Sequence, residues 1–283
     1  MKVLVTGGTG FIGSHTIVEL VAAGHDPVIV DNLSNSEVSV LKGIEKIIGF
    51  SPVFYQIDCT DAKAFAEVCE KEEPEAIIHF AAFKAVGESV ENPIRYYRNN
   101  LDSMMVVLET MKNFGIQNLV FSSSCTVYGQ PDALPVSEST PDKDAASPYG
   151  FTKVVCEQMI RDVCFSNPIY KVAMLRYFNP VGAHESGEIG ELPNGIPNNL
   201  VPYITQTAAG LREKLTIFGN DYDTPDGTCI RDFIHVVDLA KAHVAAMNWL
   251  AGIQSGYEVF NIGQGVGNTV LEVVNAFVDV TGV

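Results

Sequence analysis

The sequence predicts an α/β fold in which helices cover both faces of one doubly wound parallel sheet. Short, near-continuous apolar runs, typical of strands buried on both faces, recur along the chain. Segments with helical periodicity separate them, and glycine or proline ends several of these segments. A cluster of glycines follows the first apolar run, where such folds commonly bind a ligand.

The apolar runs and the periodic segments alternate in the order that this fold requires. Strands are predicted at residues 2–6, 27–30, 53–57, 76–80, 119–122, 172–176 and 257–262. Helices are predicted at residues 11–23, 62–69, 95–113, 148–164 and 270–281, and residues 233–250 also have a helix-like pattern.

The pattern changes after Arg176, because residues 179–202 are rich in proline, glycine and polar turns and have little periodicity. We therefore expect a cofactor-binding domain of residues 1–176 and about 231–262. A smaller, discontinuous substrate domain would comprise about 177–230 and 263–283. Since the sequence stops directly after a helix, we expect this second domain to be incomplete at its C-terminus.

The charge balance excludes one class of partner. The chain has 18 Lys plus Arg against 34 Asp plus Glu, a net charge of −16, which argues against nucleic-acid binding. Its apolar runs are far shorter than the roughly 18 residues that a membrane-spanning helix needs. The N-terminal run reaches glycine too early for a secretory signal. We expect no membrane association and a cytoplasmic location.

The 6 cysteines are spread along the chain without a CxxC pair. This spacing favours reduced structural thiols over disulfides, and it favours no metal site.

The glycine cluster Gly8-Thr9-Gly10-Phe11-Ile12-Gly13 matches GxGxxG between a predicted strand and a predicted helix, with Gly7 immediately before it. Such glycines tighten the turn and let a pyrophosphate approach the backbone at the N-terminus of the helix. The cluster therefore predicts a dinucleotide site, although a glycine-rich turn in an unrelated α/β protein is the alternative.

Two acids follow predicted strands. Asp31 ends the second strand, where a carboxylate would accept hydrogen bonds from ribose hydroxyls and repel a 2′-phosphate. Residues 32–36 contain no Lys or Arg to hold such a phosphate, so NAD is favoured over NADP. Asp58 ends the third strand and either meets the adenine amine or caps the helix ahead of Asp61.

Tyr149 and Lys153 lie one turn apart at the start of a predicted helix and would share one face of it. A tyrosine acting as a base near neutral pH needs its pKa lowered by roughly 3 units, about 4 kcal/mol, which neighbouring positive charge can supply. The alternative is an ordinary surface pair. Residues 122–124 are serines at the end of the fifth strand, where a hydroxyl would bond a substrate oxygen or cap a turn.

These motifs resemble those of the UDP-glucose 4-epimerase family, within the extended short-chain dehydrogenases/reductases. The resemblance runs over the whole chain and is carried by VTGGTGFIGSH (5–15), HFAAFKAVGES (79–89), FSSSCTVYG (121–129), SPYG (147–150), LRYFNPVGA (175–183) and GIPNNL (195–200). Cys125 departs from it, since alanine is common there, and the family continues for several dozen residues beyond Val283.

The resemblance implies a Rossmann-type cofactor domain holding NAD, which takes hydride from C4 of the hexose in a UDP-sugar and returns it to the opposite face. Tyr149 would carry the O4 proton, Lys153 would hold the nicotinamide ribose and lower the Tyr149 pKa, and Ser124 would bond O4. It also implies a homodimer, for which residues 95–113 and 148–164 offer long helices.

By the same resemblance, further residues are assigned to the two ligands. The cofactor residues are Gly7, Gly10, Phe11, Ile12, Gly13, Asp31, Asn32, Asn35, Ser36, Asp58, Cys59, Phe80, Ala81, Ala82, Lys84, Asn99, Ser122, Tyr149, Lys153 and Tyr177. The UDP-sugar residues are Lys84, Ser124, Tyr149, Phe178, Asn179, Asn199, Leu200, Phe218 and Arg231. A guanidinium suits a diphosphate, but Arg231 and Asp232 alone could form an ordinary ion pair, and Asn199 alone indicates a turn.

Two other functions stay open. Nucleotide-sugar 4,6-dehydratases share the glycine and tyrosine motifs, but they usually carry an acidic triplet after the fifth strand, where this chain has Ser124-Cys125-Thr126. A non-catalytic protein that senses a dinucleotide would use the same fold.

Overall fold

The structure is a computed structural model that describes residues 1–141 and 145–283. Within these residues the strands are β1 (Lys2–Thr6), β2 (Asp26–Asp31), β3 (Val53–Gln56), β4 (Ala76–His79), β5 (Asn118–Ser124), β6 (Lys171–Tyr177), β7 (Asn179–Val181), β8 (Ile230–His235), β9 (Gly256–Ile262) and β10 (Gly267–Thr269). The helices are α1 (Phe11–Ala22), α2 (Ser39–Ile48), α3 (Ala62–Glu72), α4 (Val86–Glu91), α5 (Pro93–Phe114), α6 (Pro148–Ser166), α7 (Leu200–Ala208), α8 (Val236–Gly252) and α9 (Val270–Thr281).

The main sheet confirms the predicted fold class. Its strands lie in the order β3-β2-β1-β4-β5-β6-β9, and every neighbouring pair is parallel. The order reverses between β1 and β4, so the crevice beyond their carboxyl ends is the place where such sheets bind ligands.

Burial on both faces explains why the central strands of the main sheet are near-continuous hydrophobic runs. On β1, Leu4 packs into a core shared with α3, α5 and α6, whereas Val3 and Val5 face a second core shared with α1 and α8. All three are 0% exposed. Because helices cover both faces, alternate residues of one strand enter different cores and all of them are apolar.

A smaller sheet lies apart from the main one. β8 pairs in parallel with β7 and antiparallel with β10. The prediction of a helix beginning at residue 233 is therefore wrong for its first residues, since Phe233 pairs with Asn179 and the helix begins only at Val236. The cross-strand partner overrides the local pattern, as it often does for short strands. The predicted division into domains stays a prediction.

Among the described helices, none combines the length and the apolar character that a membrane span requires. All the cysteines are free thiols.

The glycine turn generates a first prediction. A Cβ at Gly13 would lie 2.2 Å from the carbonyl oxygen of Gly7, so Gly13→Ala must push α1 away from the turn. We expect its free energy of unfolding to fall by about 1–3 kcal/mol in urea denaturation. The control is Gly87→Ala in α4, where nothing lies within 4 Å of the new Cβ and stability should hold or rise. Equal stability of the two variants would contradict the close approach.

Candidate active site

The turn between β1 and α1 lies where a pyrophosphate can approach backbone amides. Gly7 has φ of +69°, its amide donates to the carbonyl of Val30, and a Cβ on it would meet the amide of Ala81 at 2.9 Å. Gly10 is the N-cap residue of α1, and no side chain of the described chain caps that helix. The free amides of the first turn, at Phe11, Ile12 and Gly13, therefore remain for an external acceptor.

Asp31 is fixed at the carboxyl end of β2, beside this turn. Its Oδ2 accepts from the amide of Thr9 at 3.1 Å, and its Oδ1 accepts from the amide of Leu33 at 2.9 Å. The hydroxyl of Ser36 lies 2.6 Å from that of Thr9 and reaches the same carboxylate at 3.5 Å. Asp31 is thus held as a buried acceptor, as a ribose site requires.

Asp58 does not cap the helix that follows it. Asp61 caps α3 by accepting from the amides of Lys63 and Ala64. Asp58 instead accepts from Asn32 Nδ2 at 2.8 Å and from Thr60. Burial raises the pKa of Asp58, but these hydrogen bonds outweigh burial and the net shift is downward. The cap interpretation is wrong, and the adenine role stays a prediction.

The loop after β4 is fastened by a residue that the sequence analysis missed. Asn100 is 3% exposed, and its side chain accepts from the amide of Phe83 and donates to the carbonyl of the same residue. It also donates to the hydroxyl of Thr152 on α6 and accepts from Asn99. This amide therefore joins the loop that carries Ala82 and Lys84 to both α5 and α6.

Tyr149, Lys153 and the serines of β5 come together. Helix α6 starts where predicted, because Ser147 accepts from the amide of Gly150 and proline occupies the first turn. Lys153 Nζ donates to the carbonyl of Ser122 at 2.6 Å. Tyr149 shares a hydrogen bond with Ser124. The cap of the short 3-10 turn after β5 is Ser124, so a capping role for its two preceding serines is wrong.

The electrostatics of this group correct one expectation. Burial lowers the pKa of Lys153 to about 8, although the nearby Glu157 opposes this shift. Burial also raises the pKa of Tyr149 to about 12, although the hydrogen bond with Ser124 lowers it. The predicted lowering by Lys153 is absent in the chain alone, since its ammonium is directed to a backbone carbonyl. Positive charge from elsewhere is needed to favour the phenolate.

Tyr177 is held by a buried histidine that the sequence analysis also missed. His243 Nδ1 lies 2.8 Å from the carbonyl of Leu239, so this nitrogen is the donor and Nε2 accepts from the Tyr177 hydroxyl at 2.5 Å. Ser122 hydrogen-bonds the same phenol, which burial keeps protonated by raising its pKa. Burial lowers the pKa of His243 to about 4. Tyr177 is therefore a neutral, oriented side chain.

Arg231 does not form the ion pair with Asp232 that the sequence analysis considered. Its Nη1 donates to the carbonyl of Ile230, whereas Asp232 accepts from the amides of Gln264 and Gly265. The Arg231 charge acts on Cys125, beside the end of β5. The guanidinium is exposed.

Glu191 links two residues predicted to meet anionic groups. Its Oε1 accepts from Asn199 Nδ2 at 2.6 Å and lies 3.6 Å from Lys84 Nζ. Asn199 is the N-cap residue of α7 and directly precedes Leu200. Exposed polar groups are therefore gathered on this side of the site.

The other predicted substrate residues are less closely tied to this group. Asn179 donates to the backbone carbonyl of Asp232 at 2.9 Å, and Phe178 packs against Gly263. Phe218 is 83% exposed.

The described residues contain no group of three or more His, Cys, Asp or Glu side chains arranged to hold a metal ion.

Comparisons with known proteins agree with this geometry. A model of the NAD dependent epimerase/dehydratase family matches residues 3–263. The UDP-glucose 4-epimerase of Yersinia pestis is 53% identical over 98% of this chain and 82% of its own length, and that of Bacillus subtilis is 51% identical over 100% and 83%.

Solved structures give the same result. The UDP-glucose 4-epimerase of Bifidobacterium longum, in complex with NAD+ and UDP, matches with a TM-score of 0.96 and 48% identity over 100% of this chain and 84% of that one. The Stenotrophomonas maltophila enzyme, with bound NAD and formylated UDP-arabinopyranose, matches with a TM-score of 0.96 and 49% identity over the same shares.

The raised pKa of Tyr149, about 12, generates a pH prediction. An unperturbed tyrosine is half ionised near pH 10. In the ligand-free chain, ultraviolet difference spectra at about that pH should show equal phenolate in wild type and in Tyr149→Phe, because the lost phenol was still protonated. If the variant had at least about half an ionised tyrosine fewer per chain than wild type, the chain alone would not raise the pKa of Tyr149.

Proposed function

Because the chain belongs to the NAD dependent epimerase/dehydratase family, we propose that it inverts C4 of a UDP-hexose, interconverting UDP-glucose and UDP-galactose. Relatives about half identical over nearly the whole chain are UDP-glucose 4-epimerases, and these confirm the predicted activity. Similar structures with bound NAD confirm the predicted cofactor. The placement of Tyr149, Lys153 and Ser124 at one strand end carries the mechanism.

The residues present fit NAD. The glycine turn is a cradle that a Cβ at Gly7 or Gly13 would fill, and the uncapped start of α1 offers amides to the pyrophosphate. Asp31 would accept from the ribose hydroxyls and repel a 2′-phosphate. When bound, NAD supplies the oxidant that removes hydride from C4 and returns it.

We assign the proton at O4 of the sugar to Tyr149. As the phenolate, which the positive charge of an oxidised nicotinamide would favour, Tyr149 takes the O4 proton as the ketone forms and returns it as the alcohol re-forms. The Ser124 hydroxyl has one proton, which it donates alternately to O4 of the sugar and to the Tyr149 oxygen. Lys153 stays cationic at neutral pH and holds the cofactor ribose, while Tyr177, which burial keeps neutral and His243 orients, contacts the same end of the cofactor. The ketone intermediate must turn over, so we expect firm contacts to UDP and few to the sugar.

The UDP end is assigned to the exposed polar groups beside the site. Arg231 meets the diphosphate, because its guanidinium is exposed and pairs only with its neighbour's carbonyl among the described contacts. Lys84 and Asn199 turn from Glu191 to the ligand. The remaining contacts are assigned to Phe178, Asn179, Leu200 and Phe218.

A tyrosine substitution tests the assignment. Tyr149→Phe removes the proton carrier, so turnover of UDP-galactose should fall by roughly 100- to 10,000-fold, with the NAD released on denaturation unchanged. Tyr257→Phe, on the half-exposed start of β9, is the control and should keep full activity. Loss of NAD in proportion to activity would show a structural role instead.

Exchange at C5 separates the epimerase from a 4,6-dehydratase. A dehydratase must remove the C5 proton, whereas Ser124, Cys125 and Thr126 place no carboxylate at this strand end. Burial raises the pKa of the Cys125 thiol to about 11, so it is no base either. UDP-hexose recovered from deuterated water should carry no deuterium at C5. Its incorporation, with loss of water from C6, would establish the dehydratase.

A homodimer and a cytoplasmic location stay predictions. The long helices α5 and α6 pack against each other and leave exposed apolar side chains at Met105 and Phe165, which supports association of two copies.

A further inference from the structure

One face of α6 contacts three consecutive residues of β5. Tyr149 shares a hydrogen bond with Ser124, and one turn later Lys153 donates to the carbonyl of Ser122. The next position at the same spacing is Glu157, which the mechanism does not use. Side chains four residues apart lie on one face of a helix, so these three positions form one row against the strand.

Glu157 contacts the serine between those two. Ser123 Oγ donates to Glu157 Oε1 at 2.5 Å, and Arg176 Nε of β6 donates to the same oxygen at 2.9 Å. Oε2 accepts from Arg176 Nη2 at 2.6 Å and from Arg161 Nη2 at 2.8 Å. Glu157 is 0% exposed and Arg176 is 1% exposed. The carboxylate therefore joins α6, β5 and β6 through directional bonds in a dry environment.

We propose that Glu157 is a positioning residue for the epimerase reaction, which fixes the translation and rotation of α6 so that Tyr149 and Lys153 face the end of β5. A bidentate carboxylate and guanidinium pair tolerates little displacement, because any shift leaves a buried charge without its partner. Since α6 is rigid, holding its third turn also holds the first turn, which carries Tyr149. The inference rests on the proposed function, as it concerns the same reaction.

The charge of Glu157 has a second effect on the row. Lys153 is buried and is faced by His79 of β4 and the ring of Phe121 on β5, and by Cys156 and Glu157 on its own helix. Of these groups, Glu157 is the one that pairs with arginines, whereas burial keeps Cys156 protonated by raising its pKa to about 12. Its charge favours the ammonium form of Lys153 against burial. Removing that charge should lower the Lys153 pKa further.

The experiment compares three variants of the whole chain. Glu157→Gln keeps the shape and removes the charge. Ser123→Ala removes the bond from β5 and keeps every charge, which serves as the second variant if the buried Arg176 prevents Glu157→Gln from folding. The matched control is Glu67→Gln, which removes an exposed carboxylate 3.9 Å from Lys63 on α3. Each is assayed for kcat and KM with UDP-galactose across pH, and isotope-edited NMR measures the Lys153 pKa, assigned with Lys153→Arg.

We expect Glu157→Gln to lower kcat by roughly tenfold at unchanged KM, because the reacting groups are displaced while the UDP contacts are intact. Its kcat should also fall at a lower alkaline pH than in wild type, in step with a lower Lys153 pKa. Ser123→Ala should lower kcat by roughly threefold with the wild-type pH profile. Glu67→Gln should match wild type throughout.

Other outcomes overturn the proposal. If Glu157→Gln and Ser123→Ala lose activity only in proportion to their unfolded fraction, with the wild-type pH profile and Lys153 pKa, Glu157 is merely structural. If Glu157→Gln does not fold, an unchanged kcat in Ser123→Ala decides against positioning. Wild type without turnover would instead contradict the proposed function, and the NMR titration then tests Glu157 by itself.

Discussion

The packing of α6 against the carboxyl end of β5 is the interaction on which the site depends. β5 lies in the centre of the sheet, paired on both edges with β4 and β6, so its position is set by two registers. Ser122 and Ser124 thus lie at fixed points, and the helix brings Tyr149 and Lys153 to them. Any change that moves the helix relative to the strand changes the geometry of the proposed reacting groups, even when none of them is substituted.

This packing carries an energetic cost that apolar residues would avoid. Glu157, Arg176 and Lys153 are charged side chains at almost fully buried positions, and replacing a buried ion pair by apolar residues is often neutral or stabilising. Their hydrogen bonds are directional, which apolar contacts are not. Apolar contacts allow a helix to slide, whereas a carboxylate held by Ser123 and a bidentate guanidinium allows one arrangement. The fold therefore places a buried ion pair beside the proposed reacting groups.

The sequence could predict what depends on local spacing. The glycine turn, Asp31 and the pair Tyr149 and Lys153 each lie within one turn or at one strand end, and their patterns identify them. Asn100, Glu157 and His243 escaped because their partners lie 52, 34 and 66 residues away in the chain. No local pattern records such contacts.

Strand β8 escaped for the same reason, since its apolar residues read as the start of a helix until pairing with β7 is known. The direction of the Tyr149 pKa was also beyond the sequence. The neighbouring lysine suggested that the Tyr149 pKa is lowered. In the structure the Lys153 ammonium donates to the carbonyl of Ser122, and burial of the phenol raises the Tyr149 pKa instead.

In an acidic chain that binds an anionic ligand, the few cations serve different purposes. Some are buried within the fold, and others are exposed where an anion can reach them. Lys153 and Arg176 are buried and hydrogen-bonded to Ser122 and Glu157, so neither cation lies at the surface. The anion must therefore meet amides at the start of α1 and the exposed cations, where solvent screens the net charge of −16. Lys84 lies 3.6 Å from Glu191, which compensates the charge of even this exposed cation. Recognition of the diphosphate consequently depends on local backbone geometry more than on the overall field of the protein.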